Sequence, residues 1–546
     1  MTEALTVGLK LTHDASVAAT RGSTTSTIVE LEKLGRRRFA RAMGRADIEL
    51  LLKAGGALDD TPDLLVVDGW FTDRDGYLQL PNGPRIRVAP YAPEYSPGTV
   101  VDLESELVPS DVLGRAAVSV PHVISHVYAA LGSAPGPSPA RDYVLVWDGG
   151  VAPALFEKTR SCLSFIDTLF PIALDVYSRT AMLMPPFGPD SMNAPSRDRL
   201  DVAGKVMAFI ATAKEQGEPA AAKVADVMSA AMKSSKMAGI TDSSALARRL
   251  ANLHYNHRET MSPADVLAGL HFALERALRM QLDRVLPASE RAGSRLSVVG
   301  GAGLNIKWNA ALRRSGSFDS VWVPPFPNDS GVAFGAAVAG RAAMTGEVTT
   351  HWRVHSGPTL KKTRRLGSPA SPANVAAVLA DGHPVMVLDG PAEVGPRALG
   401  GRSILADPRR PEMRDRLNAI KGREPYRPIA PLCLEKHAPD YFEPGTPDPY
   451  MVFEHKLNQR GRELIPAIVH LDGTARLQTI NEEQNPLIFI ILTEFQSLTG
   501  VPVLCNTSAN RNGRGFFDSV EKAIRWGGVP HVYSDGKLFL GRKASR

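Results

Sequence analysis

The chain has 546 residues, and its 44% hydrophobic content is enough for substantial cores in roughly two to four domains. Its 63 Lys and Arg exceed its 57 Asp and Glu for a net charge of +6; with no Lys-rich tail or Arg-rich arm, this suits anionic small ligands and argues against a nucleic-acid partner. The three cysteines, Cys162, Cys433 and Cys505, form no CxxC pair, which argues against a zinc finger or disulfide framework and for a reducing compartment.

The opening MTEALTVGLKLTHDAS has no basic region followed by an apolar core, so no signal peptide is expected. The most apolar late run, 486–492, falls short of the ~18 residues of a membrane span. A soluble, cytoplasmic protein without a membrane partner is the expectation. ALTVGLKLTHDASVAAT predicts a strand, a polar turn at His13-Asp14 and a second strand, which puts both residues at a strand end. Arg36-Arg37-Arg38, the compact basic run, reads as a solvated surface patch.

PHVISHVYAAL spaces His122 and His126 so that both imidazoles share one face of a helix and reach one ion. RDYVLVWDGG is a strand running into Asp148, Gly149 and Gly150, and 191–287 is helical in pattern. RLSVVGGAGLN is a buried strand followed by a glycine turn, and PNDSGVAFGAAVAGRAA a polar loop entering a small-residue helix. From 353 to 372 the chain turns polar and rich in Ser, Pro and basic residues, a linker between a large α/β domain (1–352) and a smaller one (373–546) that begins with the strand in HPVMVLDG.

Glycines directly after a buried strand let backbone N–H groups approach phosphate. His13-Asp14, Asp148-Gly149-Gly150, Gly300-Gly301 with Asn305, and Gly331 in NDSGVAFGAA come in the order of the phosphate loops and adenosine segment of the actin, sugar-kinase and heat-shock ATPase architecture. Adding Asp148 and Asp329 to His122 and His126 gives two imidazoles and two carboxylates, a set suited to Fe²⁺, Mn²⁺ or Zn²⁺.

Four C-terminal blocks then carry a family likeness: GPAEVGPRALGGRSILADPR (390–409), RDRLNAIKGREPYRPIAP (414–431), IPAIVHLDGTARLQTI (465–480) and TGVPVLCNTSANRNG (499–513). With them the chain resembles the NodU/CmcH family of O-carbamoyltransferases over nearly its whole length. The resemblance implies an N-terminal actin-like ATPase (ASKHA) domain, similar to the tRNA threonylcarbamoyl transferase, and a C-terminal YrdC-like α/β domain. In the latter, carbamoyl phosphate and ATP (or another nucleoside triphosphate, with Mg²⁺) give carbamoyl-adenylate and pyrophosphate. In the former, the hydroxyl of a small-molecule acceptor, a secondary metabolite such as a macrolide or aminoglycoside or its sugar, attacks the carbonyl and AMP leaves.

Carried over by motif, His122, His126, Asp148 and Asp329 are the metal ligands, Fe²⁺ being the expected ion. His13, with Asp14, is the general base or the group that orients the acceptor hydroxyl. Arg397, Arg402, Lys421, Arg423, Arg427 and Arg476 supply cationic donors to phosphate and carbamoyl oxygens, and His470, Asn506 and Ser508 orient the carbamoyl amide or nucleotide. The family's NTSFN reads Asn506-Thr507-Ser508-Ala509-Asn510 here, without the aromatic residue, and an early Glu-Arg pair reads Glu32-Lys33. A homodimer is the expected assembly.

Two other readings compete. Transfer of threonylcarbamoyl to tRNA is disfavoured by the weak net charge and the missing basic tail. A non-catalytic, sugar-kinase-like ligand-binding regulator needs neither the His/Asp set nor an arginine-rich second domain.

Overall fold

The computed structural model describes residues 3–58, 60–70, 75–188, 196–214, 218–235 and 241–541, so parts of the helical stretch expected over 191–287 lie outside the described residues. The chain divides into two units, Met1–Ser26 with Arg41–Trp352 and Thr27–Ala40 with Arg353–Arg546. Each contains mixed sheets and helices.

Two sheets of the first unit follow one plan. Leu5–Lys10 pairs antiparallel with Ser16–Arg21 and parallel with Leu64–Gly69, which pairs parallel with Arg115–Pro121. Likewise Asp142–Val146 pairs antiparallel with Ala154–Lys158 and parallel with Arg295–Val299, which pairs parallel with Ser320–Trp322. The leading strands LTVGLK and DYVLV are buried at every position, as apolar runs covered on both faces are. Ligands of such sheets collect beyond the carboxyl ends of the parallel strands. Here those ends lead into His13-Asp14, Asp68, His122, Asp148, Gly300-Gly301 and Asp329.

Helices His122–Ser133 and Val332–Thr345 pack with their backbones nearly touching. A methyl group added at Gly335 would fall 1.8 Å from the Ser125 carbonyl oxygen, and one at Gly8 would fall 2.0 Å from that of Ala333. The small residues read from the sequence are therefore what lets these helices and the first strand close around the site. Under the second sheet, the rings of Trp147 and Trp308 stack 5.0 Å apart, worth about 1 kcal/mol beyond their buried area.

The described helical stretch comprises Ser196–Phe209, Glu218–Ser235, Ser243–Asn256 and Pro263–Val285. Its starts are encoded locally. Asp242 accepts from the Ser244 and Ala245 N–H groups, and Ser262 forms a capping box with Asp265 around Pro263.

In the second unit an eight-stranded sheet runs in the order Ser368–Pro369, Lys537–Leu540, His531–Ser534, Val385–Leu388, Arg402–Ala406, Val503–Ser508, Ala430–Leu434 and Gln478–Ile480. Helices Pro372–Ala380 and Pro486–Thr499 pack together beside it, and the latter contains the apolar run 486–492. No described helix is long and apolar enough to cross a membrane.

The stretch 353–372, expected as a linker, belongs to this second unit. The Lys361 N–H donates to the Asp518 carbonyl at 3.0 Å, and Ser368–Pro369 pairs with Lys537–Leu540. Residues Thr27–Ala40 are also part of it, although they fall inside the block 1–352 read as one domain. The chain leaves the first unit and returns within fourteen residues, with no change of composition to mark the excursion.

Candidate functional site

In the first unit one donor atom each from His122, His126, Asp148 and Asp329 lies within 4.8 Å of the other three, and all four residues are buried. His122 Nε2 stands 3.8 Å from Asp148 Oδ2 and 3.7 Å from Asp329 Oδ1, and His126 Nε2 is 3.6 Å from the same Asp329 oxygen. Neighbouring ligands about 2.1 Å from an ion stand roughly 3 to 3.5 Å apart, so a small inward movement would bring these atoms to ligand spacing. Buried polar atoms without hydrogen-bond partners among the described residues include His122 Nε2 and both ring nitrogens of His126. Buried imidazole nitrogens in that state fit a divalent transition ion.

Residues absent from any motif hold this set from outside. Asp68 meets His122 Nδ1 at 2.9 Å, which leaves Nε2 as the electron-pair donor facing the cluster. Lys10, fully buried, lies 3.3 Å from Asp68 Oδ2 and 2.9 Å from Asp329 Oδ2, with its ammonium over the Trp70 ring. Tyr91 donates to Asp148 Oδ2 at 2.6 Å and stacks on the His122 ring, while the Gly301 N–H donates to Asp148 Oδ1 at 2.7 Å. Burial works against ionisation of Asp329, yet Lys10, His13 and His122 hold its carboxyl well below the usual range. Lys10, Asp68 and Tyr91 carried no spacing signal; each is a single polar residue in an apolar strand or a loop.

His13 sits at the edge of the cluster. Its Nδ1 is 2.9 Å from Asp14 Oδ2 and its Nε2 3.4 Å from Asp329 Oδ2, with Trp70 edge-on. Burial opposes its charge, but Asp329 and the Asp14 hydrogen bond outweigh it and raise its proton affinity. Asp14 adopts φ 55°, the left-handed region that Asp tolerates better than most residues.

The glycine turns converge on the same place. Gly300 has φ 84° and passes so close to Trp147 that a Cβ would be 2.5 Å from its carbonyl oxygen. The Gly149 carbonyl accepts from Asp175 N–H at 3.1 Å, and the Gly150 N–H donates to the Tyr91 hydroxyl at 3.3 Å. Two residues expected at the nucleotide also have structural roles. Asn305 caps helix Ile306–Arg314 by accepting from the Lys307 and Trp308 N–H groups, and Gly331 is required because a Cβ would lie 2.3 Å from the Phe326 carbonyl oxygen.

In the second unit the cations Arg397, Lys421, Arg423, Arg427 and Arg476 act on one another electrostatically. Burial and then Arg38 bring Arg397 down to about 10, and burial with Arg427 and Arg476 brings Arg423 down to about 9. Lys421 is lowered well below its ordinary range by burial and then by Arg423, Arg38 and Arg427. Asp448 and Glu424 offset this charge in part. Lys421 Nζ donates to the Ser508 carbonyl at 2.6 Å and to the Asn510 carbonyl and side-chain oxygens, and Arg423 donates to Thr507 Oγ1 at 2.5 Å. The Nε atoms of Arg423 and Arg476 and Oδ1 of Asn506 are buried without a hydrogen-bond partner among the described residues. Asn506 Nδ2 is taken by the Ala398 carbonyl and Gln478, and Ser508 Oγ donates to Asn510.

Arg402 differs from the expectation. Its Nη atoms donate to the carbonyls of Asp389, Gly401, Pro358 and Gly390 at 2.8–3.2 Å, so its guanidinium is committed to the framework rather than to a ligand. His470 is held through Nδ1 by Asp472 at 3.0 Å, with Nε2 buried and without a partner. Arg38, read as solvated, is instead half-buried, and its charge reaches the cationic group.

A family profile described as Carbamoyltransferase N-terminus matches residues 5–338, and one described as Carbamoyltransferase C-terminus matches 376–529. The chain is 40% identical to Nodulation protein U of Sinorhizobium fredii (strain NBRC 101917 / NGR234), across 97% of this chain and 98% of that protein. It is 31% identical to 3'-hydroxymethylcephem-O-carbamoyltransferase of Streptomyces clavuligerus, across 96% of each chain. Among solved structures, full-length HypF in its phosphate- and nucleotide-bound form aligns over 64% of this chain and 57% of its own, with a TM-score of 0.30 and 13% identity. With profiles matched in both units and relatives aligned nearly end to end, this chain belongs to the carbamoyltransferase family and is an enzyme of that class.

Proposed function

We propose that this protein is an O-carbamoyltransferase that forms carbamoyl-adenylate in its second unit and passes the carbamoyl group to a small-molecule hydroxyl in its first. One observation carries the reading: four half-buried arginines grouped with the buried Lys421, only partly offset by carboxylates, have the electrostatics of a site made for a polyanion. Carbamoyl phosphate and ATP are such ligands, and guanidinium forks suit their oxygens. The O-carbamoyltransferase name of the Streptomyces clavuligerus relative supports the reaction class. On this reading the first unit is an actin-like ATPase domain and the second a YrdC-like domain.

Atom balance adds a product. The phosphoryl group of carbamoyl phosphate appears in neither carbamoyl-adenylate nor pyrophosphate, so orthophosphate leaves as well and one water is consumed. Arg397, Lys421, Arg423, Arg427 and Arg476 bind and orient the phosphates. In the first unit His13, held by Asp14, takes the proton of the acceptor hydroxyl. The two histidines and two aspartates would hold Fe²⁺, or Mn²⁺ or Zn²⁺, which as a Lewis acid stabilises negative charge on phosphate or carbamoyl oxygens. The acceptor class is a secondary metabolite such as a macrolide, an aminoglycoside or its sugar, and the working assembly a homodimer in the cytoplasm.

The test omits the acceptor. Protein, ATP, carbamoyl phosphate and Fe²⁺ are incubated together, and carbamoyl-adenylate, pyrophosphate and orthophosphate are sought by mass spectrometry. Arg397→Ala or Lys421→Ala should abolish the products, and His13→Ala should not. Failure with every nucleoside triphosphate would overturn the adenylate route; success with another triphosphate but not ATP would reassign the nucleotide.

A further inference from the structure

The segment Thr27–Ala40 is tethered to the cationic site of the second unit from two directions. On one side Glu30 accepts the Gly395 N–H at 2.6 Å while Lys33 Nζ donates to the Gly395 carbonyl at 2.8 Å, and Arg397 follows two residues later. On the other, Lys421 donates to Asn510, whose Nδ2 donates to the Arg514 carbonyl at 2.8 Å, and Arg514 pairs through its backbone with Arg37. Gly515 fits so closely here that a Cβ would lie 2.4 Å from the carbonyl oxygens of both Glu32 and Arg36. Lys33 Nζ also sits 3.7 Å from the centre of the Phe516 ring. Arg38 thus follows directly on a backbone pairing that leads, through two side-chain bonds, to Lys421.

We propose that Arg38 is a binding residue of this site, placing a further guanidinium on the phosphate groups that Arg397, Lys421, Arg423 and Arg476 receive. The proposal rests on the reading of the cationic group as the phosphate site, and it adds a residue from the N-terminal part of the chain. Arg36 and Arg37 are exposed, whereas Arg38 is half-buried with its guanidinium 4.6 Å from the Phe39 ring. Its charge disfavours the protonated forms of Arg397, Lys421, Arg423 and Arg476 alike, so it belongs to the same field. The segment that carries Arg38 is held on both sides of the cationic group, which keeps its guanidinium within reach of an anion bound there.

Pyrophosphate and carbamoyl phosphate, each titrated calorimetrically into the full-length chain, test this. Arg38→Ala should weaken pyrophosphate binding about ten- to hundredfold, the worth of one charge-assisted hydrogen bond. Arg38→Lys should fall between wild type and Arg38→Ala, and Arg37→Ala should bind like wild type. The affinity of Arg38→Ala should also depend less steeply on salt, because one cation is gone. Wild-type affinity in Arg38→Ala, with binding lost in Arg397→Ala, overturns the proposal and leaves the phosphate site standing. Weaker binding with an unchanged salt dependence also overturns it, since Arg38 would then only hold the segment. No binding of either probe by the wild-type chain removes the phosphate site itself.

Discussion

Asp68 and His122 meet at 2.9 Å through the imidazole Nδ1, although 54 positions separate them. A carboxylate behind a metal-facing imidazole fixes the ring's tautomer and strengthens it as a donor. Asp68→Asn should therefore weaken metal binding about ten- to hundredfold with the coordinating set intact. Titration of the metal-free protein with Fe²⁺, Mn²⁺ and Zn²⁺ checks this; affinity equal to wild type would assign Asp68 to packing alone.

Metal removal should separate the two half-reactions. Chelator-treated protein, like His126→Ala, should still release pyrophosphate from ATP in the presence of carbamoyl phosphate. Transfer to an acceptor should be lost in both and return on adding Fe²⁺ only to the chelated wild type. Loss of both half-reactions would tie the ion to nucleotide chemistry as well.

Gly335 sets how near the helix carrying His122 and His126 lies to the one that follows Asp329. Gly335→Ala drives a methyl into the Ser125 carbonyl and should cost about 1–3 kcal/mol in denaturant unfolding. Because the helices must part to admit it, metal affinity should fall together with stability. A variant that loses stability but keeps its metal affinity would mean the cluster tolerates the shift.

The lowered proton affinity of Lys421 gives phosphate binding a pH signature. A bound anion favours the ammonium, so above the lowered value binding takes up a proton. Pyrophosphate affinity should then weaken as pH rises between that value and the ordinary 10.5. Stability of the ligand-free protein moves the other way, since the unfolded chain holds a proton there that the folded one lacks. Lys421→Met should bind more weakly and lose this pH dependence.

Arg402 should behave as framework. Arg402→Lys cannot reach four carbonyls and should lower stability by about 2–4 kcal/mol while pyrophosphate affinity changes little. A thermal melt and a binding titration on the same sample separate the two effects.

Much of the first unit's site was legible because most of its residues follow an apolar run, and His126 stands one helical turn from His122. His13, His122 and Asp148 stand just past the end of a strand, where polarity changes abruptly, and Asp329 follows a loop and opens the short helical turn before Val332–Thr345. Asp68 ends such a run too, in LLVVDGW, but without a neighbour at ligand spacing it reads as an ordinary strand terminus. Arg402 was misread for the opposite reason. It lies in a block dense with basic residues, and only the four carbonyls around it distinguish a framework guanidinium from a ligand-binding one. Arg38 was hidden by Arg36 and Arg37, whose exposure is what a basic run ordinarily shows. The excursion of Thr27–Ala40 has no signature in composition or periodicity, because its partners lie more than 300 positions away.

That excursion also orders events during synthesis. Lys33 leaves the ribosome early, but Gly395, which its ammonium binds, is 362 positions behind it. Translation proceeds at about 5–20 residues per second, so the segment waits tens of seconds for its partners. Contacts of such separation are slow to form, and the second unit reaches its final state only after nearly the whole chain has been made. A chain beginning at Arg353 would lack fourteen residues of that unit from the outset, and would be expected to misfold rather than to behave as an independent half.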